Sequence, residues 1–328
     1  MTLAEHLAAQ RSAVPEYADG AAAIIQAIGW VARDIARALA YAAIRGDTGK
    51  AGLKNTTGDE QKPLDLWSHE VMAGALRGSH ACAAYVSEEA AEPIEMMEGA
   101  GPHGLVVCCD PVDGSSNLDV GGAVGTIFSL RPGGRRAPAG PAALGPVGNQ
   151  VGAGYVLYGP ATVLVYSVGA GTHGFTLDRE QGEFLLTHPD IHVPKKGKTY
   201  GINEGNIASW HPGQRAFVEH LRTPDKGTGR PYGLRYSGAM VADVHRTLLD
   251  GGIFMYPADM TDPARPKPKL RLLYEVAPMA FLAEQAGGRA STGTERVLDL
   301  SAKEYHQRAA ILIGSAEDVA LAESFYRK

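Results

Sequence analysis

A short polar segment that follows an apolar run contains the residues best suited to catalysis. Residues 104–109 are apolar and lead directly into residues 110–119, which read DPVDGSSNLD. Asp110 and Asp113 lie at the predicted end of a buried strand, and carboxylate oxygens are the ligands that hard divalent cations prefer. The Gly-Ser-Ser turn after them offers backbone N–H donors to a phosphate. The segment therefore indicates phosphoryl chemistry, although Asp-Pro and Asp-Gly pairs alone are usually simple turns.

A second acidic pair, Glu88 and Glu89, follows the apolar residues 83–86. Paired glutamates usually lie on a solvated helix face, but these come at the predicted end of a strand. Ligands of open α/β sheets gather at the carboxyl ends of strands. Four carboxylates converging there would repel one another, and bound cations would relieve that repulsion. The pair is thus either a solvated surface feature or half of a metal site.

The elements that must position these residues alternate between helical and extended patterns. Apolar residues recur at helical spacing from Ile24 to Leu39, and this helix is expected to end near Gly46. Other helices are predicted near residues 63–76, 212–222, 238–250 and 276–286. Strands are predicted at residues 83–86, 104–109, 124–130, 151–158, 162–168, 253–256 and 310–313. The alternation predicts layered α/β domains.

The remaining segments are expected to be irregular. Residues 1–20 have the character of a frayed leader, and residues 46–62 and 131–150 are predicted surface loops because they are rich in polar residues, glycine or proline. A change in sequence texture near residues 188–195 predicts a boundary between a metal-binding, allosteric-type domain, 1–190, and a sugar-phosphate-binding domain, 191–328.

Composition narrows the class of protein. The chain has 328 residues and a net charge of −5, so nothing in it suggests a nucleic-acid partner or an acidic membrane. We expect no transmembrane helix and no signal peptide. The three cysteines, Cys82, Cys108 and Cys109, make a disulfide framework improbable and favour a cytoplasmic location. Zinc-type cysteine and histidine spacing is absent from the sequence.

The chain resembles the class I fructose-1,6-bisphosphatases from about residue 20 to its C-terminus. The segments that carry the resemblance are residues 87–89, 110–119, 200–205, 231–247, 251–258, 269–275 and 278–280. The Asp-Pro-x-Asp-Gly element alone would indicate only the wider sugar- and inositol-phosphatase superfamily, whereas Tyr274-Glu275 favours the bisphosphatase branch. The resemblance implies a layered αβαβα fold with two mixed-sheet domains.

The resemblance also implies a metal centre with two or three Mg²⁺ ions, for which Mn²⁺ or Zn²⁺ could substitute. The implied ligands are five carboxylates and one backbone carbonyl: Glu88, Glu89, Asp110, Val112, Asp113 and Glu275. On its own, Glu275 would be interpreted as an acid that stabilises the start of the predicted helix 276–286. Asp65 and Glu89 are expected to orient and deprotonate the attacking water, and Asp59 to assist catalysis from a mobile loop.

The substrate implied by the resemblance is fructose 1,6-bisphosphate, hydrolysed to fructose 6-phosphate by Mg-activated water in gluconeogenesis or a carbon-fixation cycle. Residues expected at the 1-phosphate are Asp113, Gly114, Ser115 and Ser116. Those expected at the other phosphate are Asn203, Tyr236, Tyr256 and Lys269, with Arg235 from a neighbouring subunit of a homotetramer. The backbone around Gly238 and Met240 should contact the sugar hydroxyls.

Two alternative functions are consistent with these motifs, and some residues differ from those of the family. Sedoheptulose-1,7-bisphosphatase activity is the closest alternative, and a catalytically inactive regulatory paralogue is another. The family's AMP-binding residues differ here at Tyr17–Ala22, Gly104-Leu105 and Pro132, which predicts weak or absent AMP inhibition. Residues 131–150 contain no cysteine, which excludes a redox switch in that loop.

Overall fold

The computed structural model describes residues 1–10, 15–46, 53–54, 60–96, 103–133 and 138–327. Its helices are α1 Leu3–Ala9, α2 Ala18–Arg45, α3 Pro63–Gly78, α4 Pro212–Arg222, α5 Met240–Asp250, α6 Ala277–Gln285 and α7 Ala316–Tyr326. The first strands are β1 Leu53–Lys54, β2 Glu60–Gln61, β3 Cys82–Ser87, β4 Ile94–Glu95, β5 Leu105–Asp113, β6 Val124–Pro132, β7 Gly145–Pro146, β8 Gly152–Tyr158, β9 Thr162–Ser167, β10 His173–Asp178 and β11 Glu183–His188. The remaining strands are β12 Thr199–Gly201, β13 Gly233–Leu234, β14 Ile253–Tyr256, β15 Leu270–Arg271, β16 Arg289–Ser291, β17 Ser301–Ala302, β18 Arg308–Ala309 and β19 Ile311–Gly314.

Two mixed sheets and three helical layers make up the fold. The larger sheet has eight strands in the order β11-β10-β9-β8-β6-β5-β3-β4, and the smaller has five in the order β13-β12-β14-β19-β16. Helices α1 to α3 cover the outer face of the larger sheet, α5 and α6 lie between the sheets, and α4 packs with α7 beside the smaller sheet. This αβαβα arrangement confirms the predicted fold class.

Burial on one face explains the long helix α2. Ile24, Ile28 and Ile35 are fully buried against the larger sheet, as their helical spacing predicts. The helix ends at Gly46, which adopts the left-handed conformation (φ 77°) and donates its N–H to the carbonyl of Ala42. The predicted helix end at Gly46 is therefore confirmed.

The expectation that residues 1–20 form a frayed leader is wrong for residues 1–10 and 15–20, and residues 11–14 lie outside the described part of the chain. Thr2 caps α1 through a reciprocal capping box with Glu5, and Leu3 and Leu7 are buried against the larger sheet. The backbone of Met1 also accepts a hydrogen bond from Leu186 in β11. Helix α1 forms because its apolar face is buried against the larger sheet, which residue composition alone does not reveal.

Two further expectations need correction. Residues 138–150 of the predicted surface loop contribute to the core, since Ala143 and Val147 are fully buried; residues 134–137 lie outside the described part of the chain. Strand β5 does not end at residue 109 but continues to Asp113. The helices predicted at 63–76, 212–222, 238–250 and 276–286 correspond to α3, α4, α5 and α6.

The predicted domain boundary at residue 190 falls between β11 of the larger sheet and β12 of the smaller one, and the division into domains stays a prediction. Within the described residues, no helix has both the length and the apolar character that a bilayer span requires.

Candidate active site

One cleft of about 620 Å³ collects almost all of the residues that the sequence singles out. It opens where the ends of β3 and β5 meet the start of α5 and the strands of the smaller sheet. The predicted residues that line it are Asp65, Glu88, Glu89, Asp110, Val112, Asp113, Gly114, Ser115, Ser116, Asn203, Tyr236, Gly238, Met240, Tyr256, Lys269 and Glu275. Asp59 lies outside the described residues. Arg235 is exposed, does not line the cleft, and donates to the carbonyl of Leu234.

An irregularity in β5 explains how Asp110 and Asp113 reach the same cleft. Residues three positions apart on a regular strand point to opposite faces of the sheet. Here Asp110 pairs with Ile127 of β6 and Asp113 pairs with Gly125, so the bulged strand uses one residue more than its partner. The extra residue restores the common direction of the two carboxylates. The Asp-Pro-Val-Asp spacing is thus a strand bulge and not a turn after the strand.

Three buried carboxylates form the centre of the cleft. Asp110, Asp113 and Glu275 each place one oxygen within 4.8 Å of the others. Burial, together with repulsion from Glu88, raises the pKa of each well above its usual range, and the charge of Asp113 further raises the pKa of Asp110 and of Glu275. The folded chain therefore concentrates negative charge where it is costly to bury.

Backbone hydrogen bonds fix the three carboxylates in place. Asp113 accepts from the N–H of Val241 at 2.7 Å, which ties β5 to the start of α5. Glu275 accepts from the N–H of Arg271 at 2.5 Å within the π-helical turn that precedes α6. Asp110 accepts from Val112 at 2.9 Å across the bulge. The cluster is preorganised by three separate elements.

The chemistry of this donor set fits hard divalent cations. Every candidate ligand is an oxygen, as Mg²⁺ and Mn²⁺ prefer, and no histidine or cysteine belongs to the cluster found among the described residues. A cation would relieve the mutual repulsion that raises these pKa values. Glu88 extends the acidic group and forms an ion pair at 3.3 Å with the buried guanidinium of Arg271.

The turn after the carboxylates depends on a glycine in the left-handed conformation. Gly114 has φ 77°, and a Cβ there would approach the Cβ of Ala239 to 2.5 Å, so glycine is required. A 3-10 turn over Ser115–Val120 follows. The side chain of Asn117 donates to the carbonyls of Ala123 and Ser237 at 3.0 and 3.2 Å, which braces the turn against the loop before α5.

Asp65 lines the same cleft as this turn, and only one of its two carboxylate oxygens has a hydrogen-bond partner among the described residues. One oxygen of its buried carboxylate accepts from the N–H of Lys62 at 2.9 Å. The other, Oδ1, is buried without a hydrogen-bond partner in the described part of the chain. Burial is the main cause that raises the pKa of Asp65 to about 6. Glu89 lines the same cleft.

The cleft also presents hydrogen-bond donors. Asn203, Tyr236, Tyr256 and Lys269 line it together with Gly238, and Asn203, Tyr256 and Lys269 also line a neighbouring cavity. Burial raises the pKa of Tyr236 to about 12, so its phenol remains a hydrogen-bond donor at neutral pH. A neutral amide, two phenols and an ammonium group together suit a phosphate ester.

Sequence reasoning left several lining residues without a role in the site. Lys62 is buried and pairs with Asp119 at 2.9 Å, which links the start of α3 to the 3-10 turn. Asp243 accepts the N–H of Ser237 and holds the loop that carries Tyr236. Asp243 lies one helical turn after the predicted site residue Met240, and this spacing could have indicated that Asp243 also faces the cleft. Asn117, Phe254, Leu270 and Arg271 also line the cleft.

Comparison with known proteins identifies the family. Residues 1–189 match the family described as the N-terminal domain of fructose-1-6-bisphosphatase, and residues 193–327 match its C-terminal domain. The chain belongs to the fructose-1,6-bisphosphatase family. This confirms the family resemblance on which the sequence analysis relied.

Relatives of this fructose-1,6-bisphosphatase family member cover its whole length. The class 1 fructose-1,6-bisphosphatase of Oleidesulfovibrio alaskensis is 42% identical, over 100% of this chain and 98% of that protein. The cytosolic fructose-1,6-bisphosphatase of Oryza sativa subsp. indica is 44% identical, over 99% and 95%. The crystal structure of Leishmania major fructose-1,6-bisphosphatase in holo form superposes with a TM-score of 0.90 at 36% identity, covering 100% and 99%.

Proposed function

We propose that this protein hydrolyses the 1-phosphate of fructose 1,6-bisphosphate to give fructose 6-phosphate and inorganic phosphate. The observation that carries the proposal is the cluster of Asp110, Asp113 and Glu275, which faces the same cleft as the Gly114 turn. The names of the full-length relatives favour the fructose substrate over sedoheptulose 1,7-bisphosphate.

The protein's own groups bind and orient the substrate at both ends. The backbone N–H groups and hydroxyls of Ser115 and Ser116 hold the reactive phosphate at the turn, while Asn203, Tyr236, Tyr256 and Lys269, which line the same cleft, hold the other phosphate. The segment containing Gly238 and Met240 contacts the sugar between them. Binding at two ends fixes the 1-phosphate against the acidic cluster and reduces the entropic part of the barrier.

The attacking water is oriented and deprotonated by Asp65 and Glu89. Oδ1 of Asp65 is free to accept a proton, and the pKa of about 6 for Asp65 suits a base that works near neutral pH. Water attacks phosphorus in line with the departing sugar oxygen: one P–O bond forms as the other breaks, the carboxylates take the proton of the water, and the departing oxygen takes a proton from solvent. Because water is the nucleophile, no covalent intermediate on the protein forms.

Glu88, Glu89, Asp110, Asp113 and Glu275, with the carbonyl of Val112, would hold divalent cations, and we propose Mg²⁺, two or three per chain. Such cations would supply Lewis-acid stabilisation of the phosphate charge and a lowered pKa for water. The buried carboxylates contribute to this chemistry by presenting several negative charges in a fixed geometry, which protein backbone donors alone could not do.

The setting of the activity is also part of the proposal. We infer a cytoplasmic homotetramer that acts on small sugar bisphosphates in gluconeogenesis or a carbon-fixation cycle, with no nucleic-acid or membrane partner. The exposed position of Arg235, outside the cleft of its own chain, supports a role for this side chain across a subunit interface.

The decisive experiment measures phosphate release from fructose 1,6-bisphosphate and from sedoheptulose 1,7-bisphosphate in parallel. We expect Mg²⁺-dependent release, abolished by EDTA and restored by added Mg²⁺, with the higher kcat/KM for the fructose substrate. A higher kcat/KM for the sedoheptulose substrate would contradict the assigned substrate. No release from either sugar, by a folded protein in Mg²⁺, would identify an inactive paralogue.

A further inference from the structure

We propose that His69 is a positioning residue that acts through the hydroxyl of Ser87 to orient the acidic turn at Glu88 and Glu89. His69 lies on α3 one helical turn after Asp65, whereas Ser87 is the last residue of β3. The kinetic part of this inference rests on the proposed function, because it concerns the orientation of Glu89 relative to Asp65.

A continuous chain of contacts joins the imidazole to the acidic turn. Nδ1 of His69 lies 2.9 Å from Oγ of Ser87, and the same Oγ accepts the backbone N–H of Glu89 at 3.2 Å. Ser87 is only 1% exposed, so bulk water cannot replace either contact. The ring of His69 also stacks on Tyr85 with a centroid distance of 5.4 Å and an interplanar angle of 21°. The imidazole is therefore held in one orientation.

The donor and acceptor roles in this chain follow from the chemistry of a hydroxyl group. A serine has one hydrogen to donate and two lone pairs that accept. With its proton on Nε2, His69 accepts the hydroxyl hydrogen at Nδ1, which turns the lone pairs of Oγ toward the N–H of Glu89. Burial lowers the pKa of His69 and keeps the imidazole neutral near pH 7.

This arrangement makes α3 the common support of two groups in the cleft. The helix carries Asp65 directly and, through His69 and Ser87, sets the backbone that carries Glu89. The turn is fixed on its other side by the N–H of Glu88, which donates to the carbonyl of Cys109 in β5. The separation between the two carboxylates is thus determined by the packing of α3 on β3.

Three substitutions separate the hydrogen bond from the volume of the ring. His69→Phe keeps an aromatic ring against Tyr85 and removes Nδ1, His69→Asn retains an acceptor near the position of Nδ1, and Ser87→Ala removes the link. His192→Phe, at an exposed histidine outside the cleft, is the matched control. For each variant we would measure kcat and KM, and the shift in melting temperature that Mg²⁺ causes without any sugar.

We expect His69→Phe and Ser87→Ala to lower kcat about tenfold or more, the usual effect of losing a hydrogen-bond partner that orients a ligand. KM should change little, and the rise in melting temperature that Mg²⁺ causes should become smaller. His69→Asn should restore both kcat and the Mg²⁺-induced rise in melting temperature. A protein that carries both His69→Phe and Ser87→Ala should be no more impaired in kcat than Ser87→Ala alone, since both changes break one chain of contacts.

Two results would overturn the inference. The first is a His69→Phe protein whose kcat and Mg²⁺-induced shift equal those of the wild type and the His192→Phe control. The second is a His69→Asn protein as impaired as His69→Phe, because an acceptor at the position of Nδ1 would then not be what the acidic turn requires. A wild-type protein that shows the Mg²⁺-induced shift but no sugar bisphosphatase activity contradicts only the proposed function, since the shift still tests the role of His69.

Discussion

At the scale of single residues, Asp110 combines deep burial with repulsion from neighbouring carboxylates. Its carboxylate is almost fully buried, and Glu88, Asp113 and Glu275 all repel its negative charge. Such a group lowers stability unless a cation neutralises it. In the absence of a cation, the buried charge of Asp110 is therefore expected to lower the free energy of unfolding.

We predict that Asp110→Asn lowers activity but does not lower the stability of the metal-free protein. The amide keeps an oxygen that can accept from Val112 and removes one negative charge. Activity should fall by roughly a thousandfold, in the range typical for loss of a group that stabilises transition-state charge. Without metal, the melting temperature should equal or exceed that of the wild type.

Phosphate-release assays and thermal unfolding in EDTA test this prediction, with Asp250→Asn as the control because Asp250 is an exposed acid on α5. A metal-free Asp110→Asn protein that melts well below the wild type would show that the charge is not a source of instability.

At the scale of elements, the contact between β6 and α5 determines the position of Asp113. Gly125 of β6 is the cross-strand partner of Asp113. A Cβ at Gly125 would approach a methyl group of Val241 and the carbonyl oxygen of Val156 to 2.5 Å each. Since the N–H of Val241 donates to Asp113, any displacement of α5 is transmitted to the carboxylate.

Gly125→Ala is accordingly predicted to destabilise the protein by about 1–3 kcal/mol, as overpacking of a close contact does. It should also weaken the stabilisation by Mg²⁺. Gly74→Ala is a matched control, because a Cβ at Gly74 on α3 meets nothing within 4 Å. That change should stabilise the protein by about 0.5–1 kcal/mol through helix propensity. Urea denaturation of both variants measures the difference, and equal effects would refute the close-packing argument.

The anchoring of α5 should also depend on pH through His245. Nδ1 of His245 lies 2.8 Å from the hydroxyl of Tyr155 in β8. Burial is the main cause that lowers the pKa of His245 to about 4, with smaller contributions from His188 and Arg246. Because this value lies below that of an unfolded histidine, the unfolded chain binds more protons between the two values. The stabilisation is complete above pH 6.5 and is lost as the pH falls toward 4.

We therefore predict that His245→Gln reduces the pH dependence of stability. The wild type should lose about 1 kcal/mol more than the variant between pH 7.5 and pH 5, a figure reduced for partial solvent exposure. Urea denaturation at the two pH values gives this difference directly. Parallel losses in the two proteins would mean that other groups account for the acid sensitivity.

At the scale of the whole molecule, one region of the larger sheet bears on regulation. The positions at which this chain differs from the family's AMP-binding residues lie close together: Tyr17–Ala22, Gly104-Leu105 and Pro132. A Cβ at Gly20 would contact the side chain of Leu105 at 3.5 Å, and Leu105 pairs with Pro132 across β5 and β6. Glycine, leucine and proline at these three places supply no cationic group for a nucleotide phosphate.

AMP should consequently inhibit the enzyme weakly or not at all. Initial rates at subsaturating substrate and Mg²⁺, with AMP titrated into the millimolar range, test this. A mammalian-type fructose-1,6-bisphosphatase is a positive control for the assay. Strong inhibition at micromolar AMP would show that other residues of this region form a nucleotide site.

The sequence by itself determined the α/β class, most helices and the acidic segments that meet in the cleft, and it predicted the segments that bind phosphate. These features depend on local periodicity and on short runs of residues, as in α2, where apolar spacing and a terminal glycine define both the buried face and the end. The family resemblance supplied the rest of the predicted site, including Glu275, whose local context indicates only an acid near the start of a helix.

Tertiary structure decided what depends on long-range register and packing. The bulge that turns Asp110 and Asp113 to one side exists only in relation to β6, and the order of α1 depends on the apolar surface beneath it. The contacts from Lys62 to Asp119 and from His69 to Ser87 join positions far apart in the chain. Residue spacing along the chain cannot predict such pairs, because the free energy that brings them together comes from burying the sheets and helices between them.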